Sequence, residues 1–217
     1  MITLTEENYL KALYHLSEKS PQVSVGDLSK HLGIKMPSVT SMIRKFEKKQ
    51  WVQYESYRPL QLTSEGKKLA ALIVRKHRLT EMFLVEKMGF GWEEVHEIAE
   101  EIEHIKSDKF FAKIDSLLGH PKTDPHGSPI PDKNGEIISY NYKKLSECTV
   151  GSKVRFCALA ESSNDFLKYL NENALALDTV IEVLHVEPFD QTLTVRYNKK
   201  DRVLSEKVTE KLLVEVL

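Results

Sequence analysis

Six side chains with the chemistry of metal ligands recur at helical spacing in the middle of the chain. They are His77, Glu81, His96, Glu100, Glu103 and His104. Residues three or four positions apart share one face of an α-helix, so 77 and 81 form one pair and the other four span an arc of roughly 100°. Imidazole and carboxylate groups without a thiolate suit Mn(II), Fe(II), Co(II) or Ni(II) better than a structural zinc ion.

The same spacing is also typical of a solvated acidic surface, and spacing alone slightly favours that interpretation. Segment 92–104, however, carries six glutamates and no lysine or arginine, a formal charge of −6. Carboxylates crowded in this way repel each other unless cations lie nearby. The charge therefore favours one or two bound divalent ions.

Length and composition indicate a soluble protein with one large domain or two to three small ones. The chain has 217 residues, of which 41% are hydrophobic, and a formal net charge of −1, so any binding to DNA must depend on local charge. We expect no membrane segment and no signal peptide. Cys148 and Cys157 form no CxxC motif, which fits a reducing cytoplasm.

The first 63 residues have the pattern of a winged helix-turn-helix. We expect a first helix that is capped by Thr5 and ends near Glu18, and a second that opens at Ser24–Asp27 and ends near Leu32. A third should run from Pro37 to about Lys49, because proline favours the first turn. Alternating residues then predict two strands, 52–54 and 60–62, joined by a hairpin.

The remaining chain changes from helical to strand patterns. We expect helices from Thr63 to about Lys87, over 92–106 and over 108–118, and then a loop rich in proline and glycine at 119–135. Short strands at 153–156, 179–184, 192–197 and 208–216, with one helix at 165–171, predict a small β-barrel. The predicted domains are 1–63, 64–140 and 145–217.

The third helix has the charge pattern of a DNA-recognition helix. Segment 35–49 carries a local formal charge of +4, and small hydroxyl residues near the start of the helix could approach base edges. The predicted DNA contacts are Lys35, Pro37, Ser38, Thr40, Ser41, Arg44, Lys45 and Lys48, with Tyr57 and Arg58 at the hairpin tip. Helix-turn-helix packing also occurs in proteins that do not bind DNA, but here the motif and the charge agree.

Three separated motifs resemble the metal-dependent repressors of the diphtheria toxin repressor and manganese transport regulator family. They are residues 75–84, 95–108 and 124–131, in the order that this family has. The resemblance covers nearly the whole chain and implies a mainly α protein with a small β domain. Its parts would be an N-terminal winged helix, a helical metal-binding and dimerisation domain, and a C-terminal SH3-like, FeoA-like domain.

The resemblance also implies two metal sites in each subunit. His77, Glu81 and His96 match an ancillary site, to which Asp165, or less well Glu161, would contribute from the SH3-like domain. Glu100, Glu103 and His104 match a primary site together with Asn8. In manganese-type members without the SH3-like domain, the residue matching His77 joins a paired site with the one matching Glu100.

Two positions depart from the pattern of the family. Asn8 stands where an aspartate or methionine is expected, so its amide oxygen would ligate without charge. Glu100 replaces a cysteine, and a carboxylate favours Mn(II) because it is a harder ligand than a thiolate. We therefore expect Mn(II) ahead of Fe(II).

The expected function is that of a cytoplasmic, homodimeric transcriptional repressor activated by Mn(II) or Fe(II), which binds a palindromic double-stranded DNA operator. A metal held by Asn8 and by the dimerisation helices would fix the winged helix relative to the dimer, whereas the metal-free −6 segment would repel itself. The main alternative is a metal-independent winged-helix regulator that senses a small molecule. A His/Glu metalloenzyme is a weaker alternative, because the sequence has no nucleophile motif or substrate-binding glycine loop.

Overall fold

A computed structural model describes residues 2–56, 58–138 and 140–217 of the chain. The described residues divide into two compact units. The first runs up to Thr80 and also includes Ala99–His120 and Ile130–Ile138. The second comprises Glu81–Ile98, Pro121–Pro129 and the C-terminal residues up to Leu217. Each unit has its own hydrophobic core.

The N-terminal part of the first unit is a winged helix-turn-helix, as predicted. Its elements are α1 (Leu4–Lys19), α2 (Val25–Leu32), α3 (Met36–Lys48), β1 (Val52–Gln53) and β2 (Gln61–Leu62). The two strands are antiparallel. Val39, Ile43 and Phe46 are fully buried, because their spacing places them on one face of α3. The opposite face of α3 therefore remains available to a partner.

Capping boxes begin the first two helices. Thr3, rather than the predicted Thr5, caps α1: its hydroxyl accepts a hydrogen bond from the Glu6 N–H, and the Glu6 carboxylate accepts one from the Thr3 N–H at 2.9 Å. Thr3 has a glutamate three residues later, which is the pairing that a capping box requires. Ser24 and Asp27 form the second box, as predicted.

Three further helices follow the wing: α4 (Ser64–Met88), α5 (Val95–Ile102) and α6 (Asp108–Leu117). The predicted helix over 92–106 was too long. Before α5, the Gly91 N–H donates to the Glu94 carboxylate at 2.8 Å, while Trp92 packs against the core of the second unit. After α5, Glu103 and His104 form a turn, but the Glu103 N–H still donates to the carbonyl four residues earlier at 2.9 Å. Glu103 therefore keeps nearly the position that a continued α5 helix would give it.

The C-terminal part of the second unit is an antiparallel sheet, which agrees with the predicted SH3-like class. Its elements are β3 (Lys143–Lys144), β4 (Lys153–Leu159), α7 (Asn164–Glu172), β5 (Val180–Val186), β6 (Leu193–Tyr197), β7 (Lys200–Leu204), α8 (Glu206–Thr209) and β8 (Leu212–Val216). The strand order among the described residues is β3-β8-β4-β5-β6-β7. The predicted strand over 208–216 was too long, because Val208 lies in α8, and β3 and β7 were not predicted.

The loop that begins Asp124-Pro-His-Gly is held in a fixed conformation within the second unit. One Asp124 oxygen accepts hydrogen bonds from the N–H groups of His126 and Ser128, at 2.8 and 2.9 Å. The His126 carbonyl accepts a further bond from the Leu159 N–H of β4, at 3.0 Å. The backbone thus fixes two side chains with metal-ligand chemistry against the sheet.

The longest helix, α4, has 25 residues. Within the part of the chain that the structure describes, no helix combines the length and the apolar character that a membrane span requires.

Gly127 should tolerate no side chain. It has a φ of 85°, and a Cβ atom there would lie 2.2 Å from the Cys157 carbonyl oxygen and 2.5 Å from the Ala158 Cα atom. We expect Gly127→Ala to lower the free energy of unfolding by about 2–4 kcal/mol, because left-handed strain adds to a clash with backbone. Denaturant unfolding would measure the loss.

Gly151→Ala is the matched control, because Gly151 has the same φ of 85° with no atom within 4 Å of the added Cβ among the described residues. This variant should lose only about 1–2 kcal/mol. Equal losses in the two variants would show that the close packing of the loop on β4 is unimportant.

Candidate metal centre

The first unit brings together a network of acidic, basic and imidazole side chains, which we name the primary cluster. Its members are Glu7, Asn8, Lys11, His77, Glu100, Glu103 and His104. Asn8 is included for its place on α1 between Glu7 and Lys11, and the other six are joined by hydrogen bonds or ion pairs. α1 supplies the first three, α4 supplies His77, and α5 with the turn after it supplies the rest. Helices from distant parts of the sequence are therefore joined by polar contacts.

Glu103 lies at the centre of the primary cluster and is completely buried. Its Oε2 atom is 2.6 Å from His77 Nδ1, and its two carboxylate oxygens accept hydrogen bonds from Lys11 Nζ at 2.7 and 2.9 Å. Lys11 also donates to Glu100. A buried carboxylate is stable only when hydrogen bonds and opposite charge compensate its lost hydration, and these partners supply both.

His104 completes the contacts of the primary cluster, and Asn8 lies next to Glu7 on α1. His104 Nδ1 is 2.6 Å from Glu7 Oε2, and its Nε2 atom lies 3.6 Å from Glu103 Oε1. The Asn8 Oδ1 atom is buried and has no hydrogen-bond partner among the described residues. Leaving a buried amide oxygen without a donor costs about 1–3 kcal/mol. Its position on α1, next to Glu7, makes it a candidate metal ligand.

The donor set of the primary cluster fits a divalent cation with a preference for oxygen and nitrogen ligands. With neutral imidazoles, three carboxylates and one ammonium group give the cluster a formal charge of −2. A divalent ion would neutralise that charge and would give Asn8 Oδ1 a partner. Carboxylate, amide and imidazole donors suit Mn(II) and Fe(II).

A second group of candidate ligands, which we name the loop cluster, lies in the second unit. It consists of Glu81 from α4 with Asp124 and His126 from the loop, and one ligand atom from each lies within 4.8 Å of the others. All three are at least 96% buried. Three buried groups of this kind within reach of one another form a candidate metal site.

Hydrogen bonds orient the loop cluster toward ligation. His126 Nε2 is 2.8 Å from the Trp92 carbonyl oxygen, and a carbonyl can only accept, so Nε2 carries the proton. In the neutral imidazole that a metal ion requires, the Nδ1 atom then holds the lone pair, and it lies 3.9 Å from Glu81 Oε2. A histidine whose other nitrogen donates to a carbonyl is the usual second-shell arrangement of metal-binding imidazoles.

The remaining predicted ligands are distributed between the two units. His96 lies beside Glu81, with its Nδ1 atom 3.4 Å from Glu81 Oε1, and its side chain is largely exposed. Asp165 is exposed in the first turn of α7 and is not a member of the loop cluster. Glu161 pairs with Lys211 at 3.0 Å. His77, which we had grouped with Glu81, contacts Glu103 of the primary cluster.

Sequence reasoning missed four members of these clusters: Glu7, Lys11, Asp124 and His126. A signal for the first two was present, because residues 7, 8 and 11 share one face of a helix. The Asp-Pro-His-Gly motif was recognised only as a family feature. Its ligand character could have been suspected from an aspartate and a histidine two residues apart in a rigid loop.

The exposed face of α3 carries most of the predicted DNA-contacting residues. The exposed ones are Lys35, Pro37, Ser38, Ser41, Arg44, Lys45 and Lys48. Thr40 differs, because it is half-buried and its hydroxyl donates to the Met36 carbonyl at 3.0 Å. In the wing, Arg58 is exposed and pairs with Glu55 at 3.0 Å, whereas Tyr57 lies outside the described residues.

A buried carboxylate links α1 to α3. Glu6 is completely buried, and its Oε1 atom lies 3.0 Å from Lys45 Nζ and 2.5 Å from Lys49 Nζ. Burial alone would raise the pKa of Glu6, but the hydrogen bonds from Lys49, Thr3 and Lys45 outweigh burial and lower it to about 2. Glu6 is therefore ionised at neutral pH and holds two lysines of the basic segment.

Three family models match successive parts of the chain. Residues 1–60 match the N-terminal DNA binding domain of iron dependent repressors, and residues 63–132 match the metal binding and dimerisation domain of the same proteins. Residues 143–216 match the FeoA domain. This order of domains is that of a winged-helix protein of the iron dependent repressor type, followed by a FeoA domain.

Individual relatives support the same assignment. The iron-dependent repressor IdeR of Mycobacterium tuberculosis is 35% identical over 127 residues, which cover 58% of this chain and 55% of that protein. The match thus spans about half the length of that relative. The HTH-type transcriptional regulator MntR of Oceanobacillus iheyensis is 36% identical over 124 residues, which cover 57% of this chain and 84% of that protein.

A solved structure of a manganese-dependent transcriptional repressor in complex with manganese has 30% sequence identity and a TM-score of 0.88. The alignment covers 98% of this chain and 100% of that chain. The chain belongs to the iron-dependent repressor family, whose relatives include both iron- and manganese-dependent regulators.

Proposed function

We propose that this protein is a transcriptional repressor whose affinity for DNA is raised by Mn(II) or Fe(II). The observation that carries the proposal is the primary cluster, a largely buried anionic group of metal-ligand side chains. It includes the Asn8 amide oxygen, which has no hydrogen-bond partner in the described part of the chain. α1 belongs to the winged helix and also supplies part of this cluster, so a bound ion would act on the DNA-binding region directly.

Two ions per subunit would account for both clusters. Asn8, Glu100, Glu103 and His104 would hold one ion, and Glu81, Asp124 and His126 would hold the other with help from His96. We keep Asp165 as a further candidate for the second ion, because the family resemblance implies a ligand from the SH3-like domain. The ions would supply positive charge and fixed coordination geometry, and the surrounding hydrogen bonds orient the side chains that receive them.

Manganese is the better candidate for the physiological metal. Both clusters offer carboxylate oxygens and imidazole nitrogens, and Glu100 stands where a thiolate would favour softer ions. Intrinsic affinity still rises from Mn(II) through Fe(II) to Co(II) and Ni(II), so selectivity depends on geometry and on metal supply. Fe(II) is the alternative.

DNA recognition would follow the usual winged-helix geometry. The hydroxyl groups of Ser38 and Ser41 lie on the exposed face of α3, where they could meet base edges, and Lys48 would neutralise a phosphate. A homodimer presents two such helices, which implies a palindromic operator. We further propose a cytoplasmic location and an action by binding alone, without catalysis.

Removing metal should weaken DNA binding. With duplex DNA selected from a random library in the presence of Mn(II), chelation should lower affinity by about tenfold or more, as expected for a coupling free energy of about 1–3 kcal/mol. His104→Gln should bind this DNA weakly with or without Mn(II), because it loses a ligand. Fluorescence anisotropy at constant ionic strength would measure both effects.

His185→Gln is the control for this experiment, because His185 is an exposed residue of β5 outside both clusters. Equal affinity of the wild-type protein with and without metal, after removal of bound ions has been verified by elemental analysis, would instead support a regulator that senses a small molecule.

Base recognition should separate from phosphate binding on α3. Ser38→Ala or Ser41→Ala should change the preference among operator variants, since hydroxyl groups near the helix start would contact base edges. Lys48→Ala should weaken binding to all sequences alike and reduce the salt slope by about 1. If Lys48→Ala altered the sequence preference while Ser38→Ala and Ser41→Ala left it unchanged, this orientation of α3 would be refuted.

The loop cluster should account for one of the two ions. Asp124→Asn removes the negative charge of a ligand but keeps the shape of the side chain. Titration with Mn(II) should therefore find one site of unchanged affinity and one that is weaker by about tenfold or more. Asp132→Asn is the matched control, because Asp132 also accepts backbone hydrogen bonds in a turn but lies outside both clusters. Two unchanged sites in Asp124→Asn would exclude Asp124 as a ligand.

A further inference from the structure

Lys11 contributes an ammonium group to the primary cluster, and its position is unusual for a lysine. Its side chain is only 9% exposed, although lysine is rarely buried without a specific partner. The ammonium group donates to both oxygens of Glu103, at 2.7 and 2.9 Å, and to Glu100. All of these contacts lie within the first unit.

The contacts of Lys11 coincide with those that a metal ion would need. Glu100 and Glu103 are two of the proposed ligands, and Lys11 Nζ lies within hydrogen-bonding distance of both. A divalent ion bound by the same oxygens would stand beside an ammonium group in a largely dehydrated environment, where like charges repel strongly. One cation must then give way to the other.

We propose that Lys11 is the resident cation of the metal-free primary cluster, and that a metal ion binds by displacing its ammonium group from Glu100 and Glu103. This inference rests on the proposed metal-dependent function. Lys11 follows Asn8 by three residues, so both lie on one face of α1. Without metal, Lys11 would link α1 to Glu100 and Glu103 by hydrogen bonds. With metal, Asn8 would link α1 to the same glutamates through the bound ion.

The exchange makes Lys11 a determinant of metal affinity. In the metal-free protein, the ammonium group places a positive charge beside the buried Glu103 carboxylate and the partly exposed Glu100 carboxylate. The cluster is therefore already partly compensated before an ion binds. Each binding event must first break these hydrogen bonds. The threshold concentration of metal is thus set partly by the lysine with which the ion competes.

Two measurements on the full-length protein test the exchange. The first compares Mn(II) affinity, followed by the electron paramagnetic resonance of free Mn(II), in wild type and Lys11→Met. Removing the competing charge should tighten Mn(II) binding at one site by roughly tenfold or more, the scale of one close charge pair in a partly screened site. Lys19→Met is the control, because Lys19 is an exposed lysine near the end of the same helix.

The second measurement separates displacement from a purely electrostatic effect. Wild-type protein is acetylated briefly at constant pH with and without saturating Mn(II), and the modified lysines are quantified by mass spectrometry. Lys11 should be protected in the metal-free protein and should react at least several times faster with Mn(II), whereas exposed Lys19 should react equally in both. This test needs no variant, so it remains decisive if Lys11→Met does not fold.

Each outcome bears on a different claim. Unchanged labelling of Lys11 in protein that binds Mn(II) would overturn the displacement, even if Lys11→Met bound the ion more tightly. Unchanged or weaker Mn(II) binding by a folded Lys11→Met variant would overturn the competition. If wild type bound no Mn(II) or Fe(II), the proposed function itself would fail.

Discussion

The complete burial of the Glu103 carboxylate is the constraint on which the first unit depends. An ionised carboxylate without water must find cations and hydrogen-bond donors within the protein, and Glu103 finds them in Lys11 and His77. Those two residues come from α1 and α4. The electrostatic requirement of one side chain thus holds α1, α4 and the turn after α5 together, where hydrophobic packing alone would leave their register less defined.

α1 connects this requirement to the DNA-binding helix through adjacent residues. Glu6 holds Lys45 and Lys49, Glu7 contacts His104, and the following residue is the proposed ligand Asn8. A small rotation of α1 would therefore move a candidate ligand and the partner of two basic side chains at the same time. This contiguity supplies a physical route for coupling between the metal centre and α3.

Helical periodicity and charge were sufficient to predict the winged helix and much of the candidate metal centre, because those signals are local. The same signals place Lys11 on a helix face and Asp124 in a loop, but they could not show that either residue is buried in a cluster. Lysines are usually exposed, and only the contact of Lys11 with residues 89 and 92 positions away reveals its burial. Asp124 lies in an irregular loop, where spacing has no period from which to infer direction. β7 was missed because Lys200-Asp-Arg does not alternate in hydrophobicity.

Neither the primary cluster nor the loop cluster has a sulfur ligand among its members. Cys148 and Cys157 are elsewhere in the second unit, and burial raises the pKa of both thiols, which keeps them protonated. Ligands restricted to oxygen and nitrogen discriminate weakly among divalent ions, because affinity follows the intrinsic order of the metals. A competing internal cation does not change that order, but it weakens binding of every ion by a similar factor. Lys11 would therefore help to set the concentration of free metal at which the protein responds. Coordination geometry and metal supply would determine which ion binds.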